Sequence, residues 1–418
     1  MIMLERLGCL MNILIFGANW YNRGDEAALR AMLDEIKEQL PEAQLKIHFN
    51  QKVDKIPYSN VEIISSFTRP MGRNFLKKIP YLLSLKLGGK FNFMKGEQKS
   101  GFNSFMRAVK WANYAIYSPG GPSIGEHYRQ FHLVDMMYLL MRNNVPFSIF
   151  APSVGPFSTL KKYISHVFSY AEVICFREEI SNGYYEELNP QKKAIVTLDS
   201  AFQHPINVKE NEKTYLEYKE LRNYIESHQK VIGITVTDLK WHRDYRDSDI
   251  STKIRESFTK IVNTLSQEGY GIVFVPQCFG ASNDADYMRS FASKNCFVMS
   301  DQYDCYFQQY VISKMYAIIG MRYHSNIFSA KMGTPFISIA YEQKMTGFMK
   351  KANLEKYCLP ISDLSAKVIC DKFSQLVDDY DSYKQMLVQE KNQFALESHK
   401  TTDLIIESIH NSCCKGES

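Results

Sequence analysis

Residues 12–41 read NILIFGANWYNRGDEAALRAMLDEIKEQLP. The run NILIF is short and wholly apolar, as a parallel strand buried on both faces must be. Gly17 opens a polar loop, and behind it Leu29, Met32, Leu33, Ile36 and Leu40 recur at helical spacing until Pro41 stops them. Asp25 is the expected N-cap of that helix. A strand feeding a helix through a glycine-bearing loop is the unit from which an α/β domain is wound.

The same rhythm continues outward. Apolar strand-length runs follow at 45–49, 61–64, 113–117, 145–151, 172–176 and 194–197, with a helix near 130–143. Polar sequence at 206–229 separates the halves. The pattern restarts at 231–236 (VIGITV), passes through a helix near 251–267 and strands at 271–275, 316–319 and 336–340, and ends in polar helices over about 364–410. Two α/β domains with mostly parallel sheets are expected, one over 1–205 and one over 206–418. In such sheets ligands bind at the carboxyl ends of the strands, and with two domains the natural site lies between them. No internal repeat or low-complexity segment interrupts this reading.

The composition fits globular domains. The chain has 418 residues, 45% hydrophobic and 23% charged, with a net charge of +5. That mild excess favours anionic ligands. The basic residues form no long stripe, so nucleic acid is not an expected partner. Nine cysteines with no C-x-x-C pair read as reduced thiols and argue against a structural zinc site. The longest apolar runs are broken by charge, as in HLVDMMYLLM, so no membrane span is expected. Met11 reads as the start of the first strand, with residues 1–10 as an extension before it.

Four loops leave expected strand ends carrying chemistry. GANWYNRGDEA (17–27) places Gly24 at a helix N-terminus, where the backbone approaches a ligand closely and the helix dipole favours an anion. It lacks the G-x-G-x-x-G pattern, so a dinucleotide is not indicated. Asn22, Arg23, Asp25 and Glu26 make it denser in polar groups than a plain turn, which is the alternative. SPGGPSIGEHY (118–128) offers the amides of Gly120 and Gly121 as a nest for an oxyanion or sugar hydroxyl, or else forms a turn stiffened by Pro119 and Pro122. FREEIS (176–181) puts Arg177 where it clamps a carboxylate or phosphate, or pairs with Glu178 or Glu179. Last, IIGMRYHSNIFSAKMGTPFISIAYEQKMTGF (318–348) sets Arg322 and His324 between a strand and a helix and brings Glu342 and Lys344 to the end of the next strand. A guanidinium that holds an anion beside an imidazole that trades a proton is a catalytic pairing. Asp199 in TLDSAF either faces this chemistry or caps a helix, and His127, His132, His166 and His242 have no partner readable from sequence.

The segments NRGDEAALRAM, YSPGGPSIG, APSVGPF, FREEIS, LDSAF, VPQ and GMRYHSNIFSAKMGTPFISIAYEQK, in this order over about residues 12–350, resemble the polysaccharide pyruvyl transferase family. The R-x-H-S stretch followed by G-T-P and Y-x-x-K is the most specific part. The resemblance implies two facing Rossmann-like domains of the GT-B type. It implies a cytoplasmic transferase that takes pyruvate from phosphoenolpyruvate and closes a cyclic ketal on a sugar of a surface polysaccharide, with no cofactor beyond that co-substrate and no metal. Arg177, Arg322 and Tyr323 would bind the donor, and His324 would be the acid/base. From their place in the loops, Asn22, Gly24, Asp25, Gly120, Gly121, Glu342 and Lys344 are expected to line the acceptor side or the cleft, with Glu342, Lys344 and Asp25 as candidates for orienting the acceptor or for a second proton route.

Residues 69–105 form an insert less typical of the family, in which lysines and arginines, Arg73 among them, alternate with aromatic and aliphatic residues including Phe75. Such a segment suits an anionic membrane surface, where a lipid-linked acceptor would bring the enzyme to the inner face of the plasma membrane. A mobile lid or a helix packed on its own domain reads equally well. Two other functions share the fold expectation: a glycosyltransferase or epimerase using a nucleotide sugar, and a non-catalytic polysaccharide-assembly protein.

Overall fold

The computed structural model describes residues 11–70, 76–121, 123–280, 283–292 and 295–415. Residues 1–10, Arg73 and Phe75 of the insert, and Pro122 lie outside the described residues.

The chain divides into two compact units. The first holds residues up to Trp20, Met32–Leu198 and the chain from His399 on; the second holds Tyr21–Ala31 and Asp199–Ser398. The division therefore differs from a single cut after residue 205. Hydrogen bonds explain both exchanges. At the start of its helix, Arg23 donates its amide to the Gln277 carbonyl (2.7 Å), and the Ser200 hydroxyl donates to the Ala28 carbonyl (2.9 Å), holding this stretch in the second unit. Near the C-terminus, Thr401 pairs with Thr197 (2.6 Å) and Ser408 with Tyr114 (2.7 Å), which ties the last helix to the first unit.

The first unit is built on strands β1 (Asn12–Ala18), β2 (Gln44–Phe49), β3 (Val61–Ile64), β4 (Tyr114–Tyr117) and β5 (Phe147–Ile149), in the order β3-β2-β1-β4-β5 and all parallel. A parallel bridge from Ile149 to Ile174 leads on to the short pair β6 (Cys175–Phe176) and β7 (Ile195–Val196). The second unit repeats the winding with β8 (Val231–Thr235), β9 (Gly271–Phe274), β10 (Cys296–Val298), β11 (Ala317–Gly320), β12 (Phe336–Ala340) and β13 (Cys358–Pro360), ordered β10-β9-β8-β11-β12-β13. In both sheets the order reverses beside the first strand, and that reversal opens the crevice in which doubly wound folds bind ligands. The expected α/β class with mostly parallel sheets is thus what the chain adopts. From Ile13 on, β1 is buried throughout, with Leu14 and Phe16 alternating with Ile13 and Ile15 on opposite faces of the sheet.

Two local expectations need correction. The first helix runs Arg23–Gln39, three residues ahead of the start that an Asp25 cap implies, and its cap is Asn22 rather than Asp25. The Asn22 carboxamide oxygen accepts from the Gly24 amide at 2.8 Å and the Asp25 amide at 3.4 Å. The polar stretch 206–229 holds two helices, Val208–Glu217 and Lys219–Glu226.

The insert is largely built into its own unit. Tyr81, Leu85, Met94, Phe102 and Phe105 join the hydrophobic core beside β1 and β4. Arg69 grips the buried carboxylate of Asp135 through Nε (2.5 Å) and Nη2 (2.7 Å), and the Tyr81 and Tyr163 hydroxyls donate to the same group at 2.6 and 3.0 Å. Four donors on one carboxylate satisfy a charge that burial would otherwise make costly. Among the described residues no helix is long and apolar enough to cross a membrane.

Candidate functional site

In the second unit the carboxyl end of β11 carries the Arg-x-His stretch into the helix Tyr323–Met332. Arg322 is the N-cap and offers the helix no side-chain cap, so the positive pole of the helix dipole lies at this residue. The turn is fixed from behind: the Thr235 hydroxyl accepts from the amides of Met321 (3.0 Å) and Arg322 (3.2 Å) and pairs with Ser325 (2.8 Å). Gly320 is needed here, since a Cβ on it would stand 1.9 Å from the Asn326 side chain.

His324 is buried, with Nε2 at 3.5 Å from an Asp199 carboxylate oxygen. That is ion-pair distance without hydrogen-bond geometry. The other Asp199 oxygen accepts from the Ala201 amide (2.9 Å), capping a short helical turn. Asp199 is itself held in place, its carbonyl accepting from the Ser398 hydroxyl (2.7 Å). Lys331 donates to the carbonyls of Ala201 (2.7 Å) and His204 (2.5 Å), and burial draws its ammonium down to about 8.

Against the imidazole lies Gly24. From sequence, Gly24 is expected to let the backbone approach a ligand closely; in the structure it clears room for His324. Asn22 next to it bridges to Cys278 and donates to that sulfur at 3.4 Å. Asp25 is half-buried, and its charge adds to the burial that raises the Cys278 thiol to about 11. Arg23 is structural: it binds Glu26 (2.5 Å) and the Asp301 carbonyl (2.5 Å) and stacks over Phe279 at 3.7 Å.

Arg322 has a partner that no motif announced. Asp284 receives its Nε (3.2 Å) and Nη2 (2.5 Å), and also accepts from the amides of Gln277 (3.1 Å) and Cys278 (2.9 Å) in the VPQC turn. The guanidinium lies 5.4 Å from the Trp241 ring, and Tyr341 adjoins it. Beyond β12, Glu342 forms an ion pair with Lys344 and lies 3.3 Å from His242 Nε2. Lys344 in turn sits 5.8 Å from the Tyr323 ring. The four residues Trp241, His242, Tyr245 and Tyr341 pack ring to ring around this group, with centroids 4.9 to 6.2 Å apart and Trp241 exposed at 45%.

Arg177, Gly120 and Gly121 belong to the first unit. Arg177 is fully buried beyond β6, and its Nε donates to the Ser153 hydroxyl at 2.9 Å. The Ser153 amide donates to the Gly120 carbonyl at 3.1 Å, and the Gly121 carbonyl accepts from Ser123 at 2.6 Å. Ser153 of the APSVGPF stretch therefore links the glycine loop after β4 to the arginine after β6. Glu178, a possible pairing partner on sequence grounds, instead caps its helix by accepting from the Ser181 amide at 2.8 Å.

The structure thus gathers His324, Arg322, Tyr323, Asn22, Gly24, Asp25, Glu342 and Lys344 in one unit, and Arg177, Gly120 and Gly121 in the other. Asp199, read from sequence as facing this chemistry or capping a helix, does both; Asp284 and His242 have no partner readable from sequence, because only the tertiary fold brings them to Arg322 and Glu342.

A family model for polysaccharide pyruvyl transferase matches residues 22–343, most of the chain and all of the second-unit site up to Gln343. The chain belongs to the polysaccharide pyruvyl transferase family. Membership makes it a transferase, and it bears out the resemblance drawn from the Arg-x-His and glycine-loop segments. Among characterised sequences, the amylovoran biosynthesis protein AmsJ of Erwinia amylovora is 23% identical over 96% of this chain and 100% of its own. Similar solved structures include UDP-GlcNAc 2-epimerase from Neisseria meningitidis, bound to UDP-GlcNAc, with a TM-score of 0.56 and 11% identity over 95% of this chain and all of that one. A trehalose 6-phosphate synthase from Burkholderia multivorans has a TM-score of 0.55 and 9% identity over 98% and 100%. At such identities the likeness concerns the fold, and it places this pyruvyl transferase family member among GT-B architectures of two Rossmann-like domains.

Proposed function

We propose that this protein transfers pyruvate from phosphoenolpyruvate to two hydroxyls of one sugar in an exopolysaccharide or its lipid-linked precursor, closing a cyclic ketal. The observation that carries the reading is the buried Asp199–His324 pair set beside Arg322 at a helix N-terminus. An acid/base beside fixed positive charge is what protonation of an anionic enol phosphate needs.

In this reading the imidazolium of His324, stabilised by Asp199, gives a proton to the donor's methylene carbon, which becomes a methyl group. The central carbon turns electrophilic. One sugar hydroxyl adds to it and loses its proton, the carbon–oxygen bond to phosphate breaks, and the neighbouring hydroxyl adds and loses its own. Of the two protons released, one balances the new methyl group and one leaves on phosphate. Arg322 and Arg177 would hold the donor's carboxylate and phosphate, and Tyr323 would stand beside them. On Arg322 the donor shares the guanidinium with Asp284. Asn22, Gly24, Asp25, Gly120, Gly121, Glu342 and Lys344 would position the acceptor, with Trp241 as an exposed ring for a sugar face.

The experiment is isothermal titration of phosphoenolpyruvate against UDP, GDP and UDP-sugars, with Arg322→Ala as control. Phosphoenolpyruvate binding that disappears in the variant supports the donor assignment. Nucleotide binding without phosphoenolpyruvate binding would move the protein to nucleotide-sugar chemistry. Binding and turnover unaffected by replacing Arg322 and His324 would make it a non-catalytic assembly protein.

A further inference from the structure

The segment from Leu76 to Lys95 departs from the rest of the insert. While Arg69 and the helix Gly96–Trp111 turn inward, this stretch exposes Leu76 at 72%, Leu82 at 42%, Leu83 at 44%, Leu87 at 40%, Phe91 at 63% and Phe93 at 47%. Six large apolar side chains exposed within twenty consecutive positions form a patch, whereas scattered single exposures are ordinary on a soluble surface.

The exposure is built in. The helix Ile79–Lys86 buries Tyr81, Ser84 and Leu85, which leaves Leu82 and Leu83 on its outer face. The turn after it is pinned, with the Gly88 amide on the Leu85 carbonyl (2.8 Å) and the Gly89 amide on the Ser84 carbonyl (2.9 Å). Gly88 and Gly89 have φ of 64° and 76°, a conformation glycine adopts without strain. Asn143 then donates to the Gly88 carbonyl (2.9 Å), and the Phe93 amide donates to the Ser84 hydroxyl (3.0 Å). The Phe91 and Phe93 rings sit 6.4 Å apart on this braced strap.

Charge decides what covers the patch. Residues 76–95 contain five lysines (77, 78, 86, 90 and 95) and no carboxylate side chain. Cores of protein interfaces are depleted in lysine. Exposed leucine and phenylalanine interspersed with lysine along one segment match a bilayer surface, with apolar groups entering the acyl boundary and ammonium groups meeting anionic headgroups. We infer that the face formed by Leu76–Lys95 is a docking surface for anionic lipid bilayers. This goes beyond the proposed reaction and rests on different residues.

The test is co-sedimentation of the full chain with vesicles of phosphatidylglycerol and phosphatidylcholine, against vesicles of phosphatidylcholine alone. Binding is expected on the anionic vesicles only, and it weakens as salt rises. The exposed double variant Phe91→Ser/Phe93→Ser lowers the partition coefficient roughly tenfold or more. A second variant, Lys77→Gln/Lys86→Gln/Lys90→Gln, removes the preference for anionic lipid. Both keep the wild-type melting temperature and phosphoenolpyruvate affinity in solution, which separates this inference from the donor assignment. No binding to anionic vesicles, equal binding of wild type and variants, or a dimer that the phenylalanine variant dissolves would overturn it.

Discussion

A Cβ built on Gly24 would stand 1.8 Å from Nδ1 of His324. The glycine at the second position of the first helix is thus the floor on which the imidazole rests, although 300 positions separate the two residues in the chain. Alanine at this place must displace the ring from the position in which its Nε2 faces Asp199. Because a displacement of about 1 Å at a reacting group can lower turnover about 100-fold, Gly24→Ala is expected to lose that much while phosphoenolpyruvate affinity changes far less. Turnover close to wild type in steady-state kinetics would show that the ring position does not matter.

Asp199→Asn separates the charge on His324 from the structure around it. Asparagine caps a helical turn as well as aspartate does, so the contact to the Ala201 amide survives. What is lost is the carboxylate facing Nε2 at 3.5 Å. Turnover should fall by about 10² to 10⁴, as for other acid/base groups deprived of an orienting carboxylate. The melting temperature should stay near that of the wild type, because the cap is kept. A merely structural Asp199 would leave turnover unchanged in this variant.

Removing Asp284 leaves the Arg322 guanidinium buried without its counter-charge and strips the Gln277 and Cys278 amides of their acceptor. Breaking a buried ion pair from one side destabilises by about 3–5 kcal/mol. Denaturant unfolding of Asp284→Ala should show a loss of that order, and Asp284→Ala/Arg322→Met should recover part of it. A single variant as stable as wild type would mean that Arg322 finds another anion.

Burial lowers His48 to about 3 and His132 to about 4. Both are neutral in the folded protein, while in the unfolded chain they take up protons near their ordinary value of about 6.5. The unfolded state therefore binds more protons between these limits, and stability is fully present above about pH 6.5 and declines as pH falls toward 4 and 3. Each unit of difference corresponds to about 1.4 kcal/mol. Urea midpoints of the wild type should drop from pH 7 to pH 5, and His48→Gln/His132→Gln should flatten that slope.

How much of this the sequence disclosed follows burial. Strands β1, β8, β9 and β11 were legible because a parallel strand covered on both faces is apolar without interruption, and the sharp site loops stand at such strand ends. Edge strands β10 and β13 are three residues long and only partly covered, so their sequences carry no period to read. The helices at 208–226 were hidden by polar faces. At the site, the Arg322 and His324 positions were visible because both lie within one short stretch. Of their carboxylate partners, Asp199 in TLDSAF was legible as a residue that faces this chemistry or caps a helix, while Asp284 was not, since it comes from a distant segment that only folding brings near Arg322. In the insert, composition showed basic and aromatic residues together, but it could not show that Tyr81 and Phe102 point inward while Phe91 points out.

The return of the final helix to the first unit fixes an order of birth. Thr197 and Tyr114 are synthesised long before Thr401 and Ser408, the hydroxyl partners that complete them. Chains are made from the N-terminus, and domains generally fold as they emerge. Here the unit that begins first is finished after the second: until the residues from His399 on have been made, the first sheet lacks the helix stretch that carries Thr401 and Ser408, whereas the second unit already has all of its residues at Ser398.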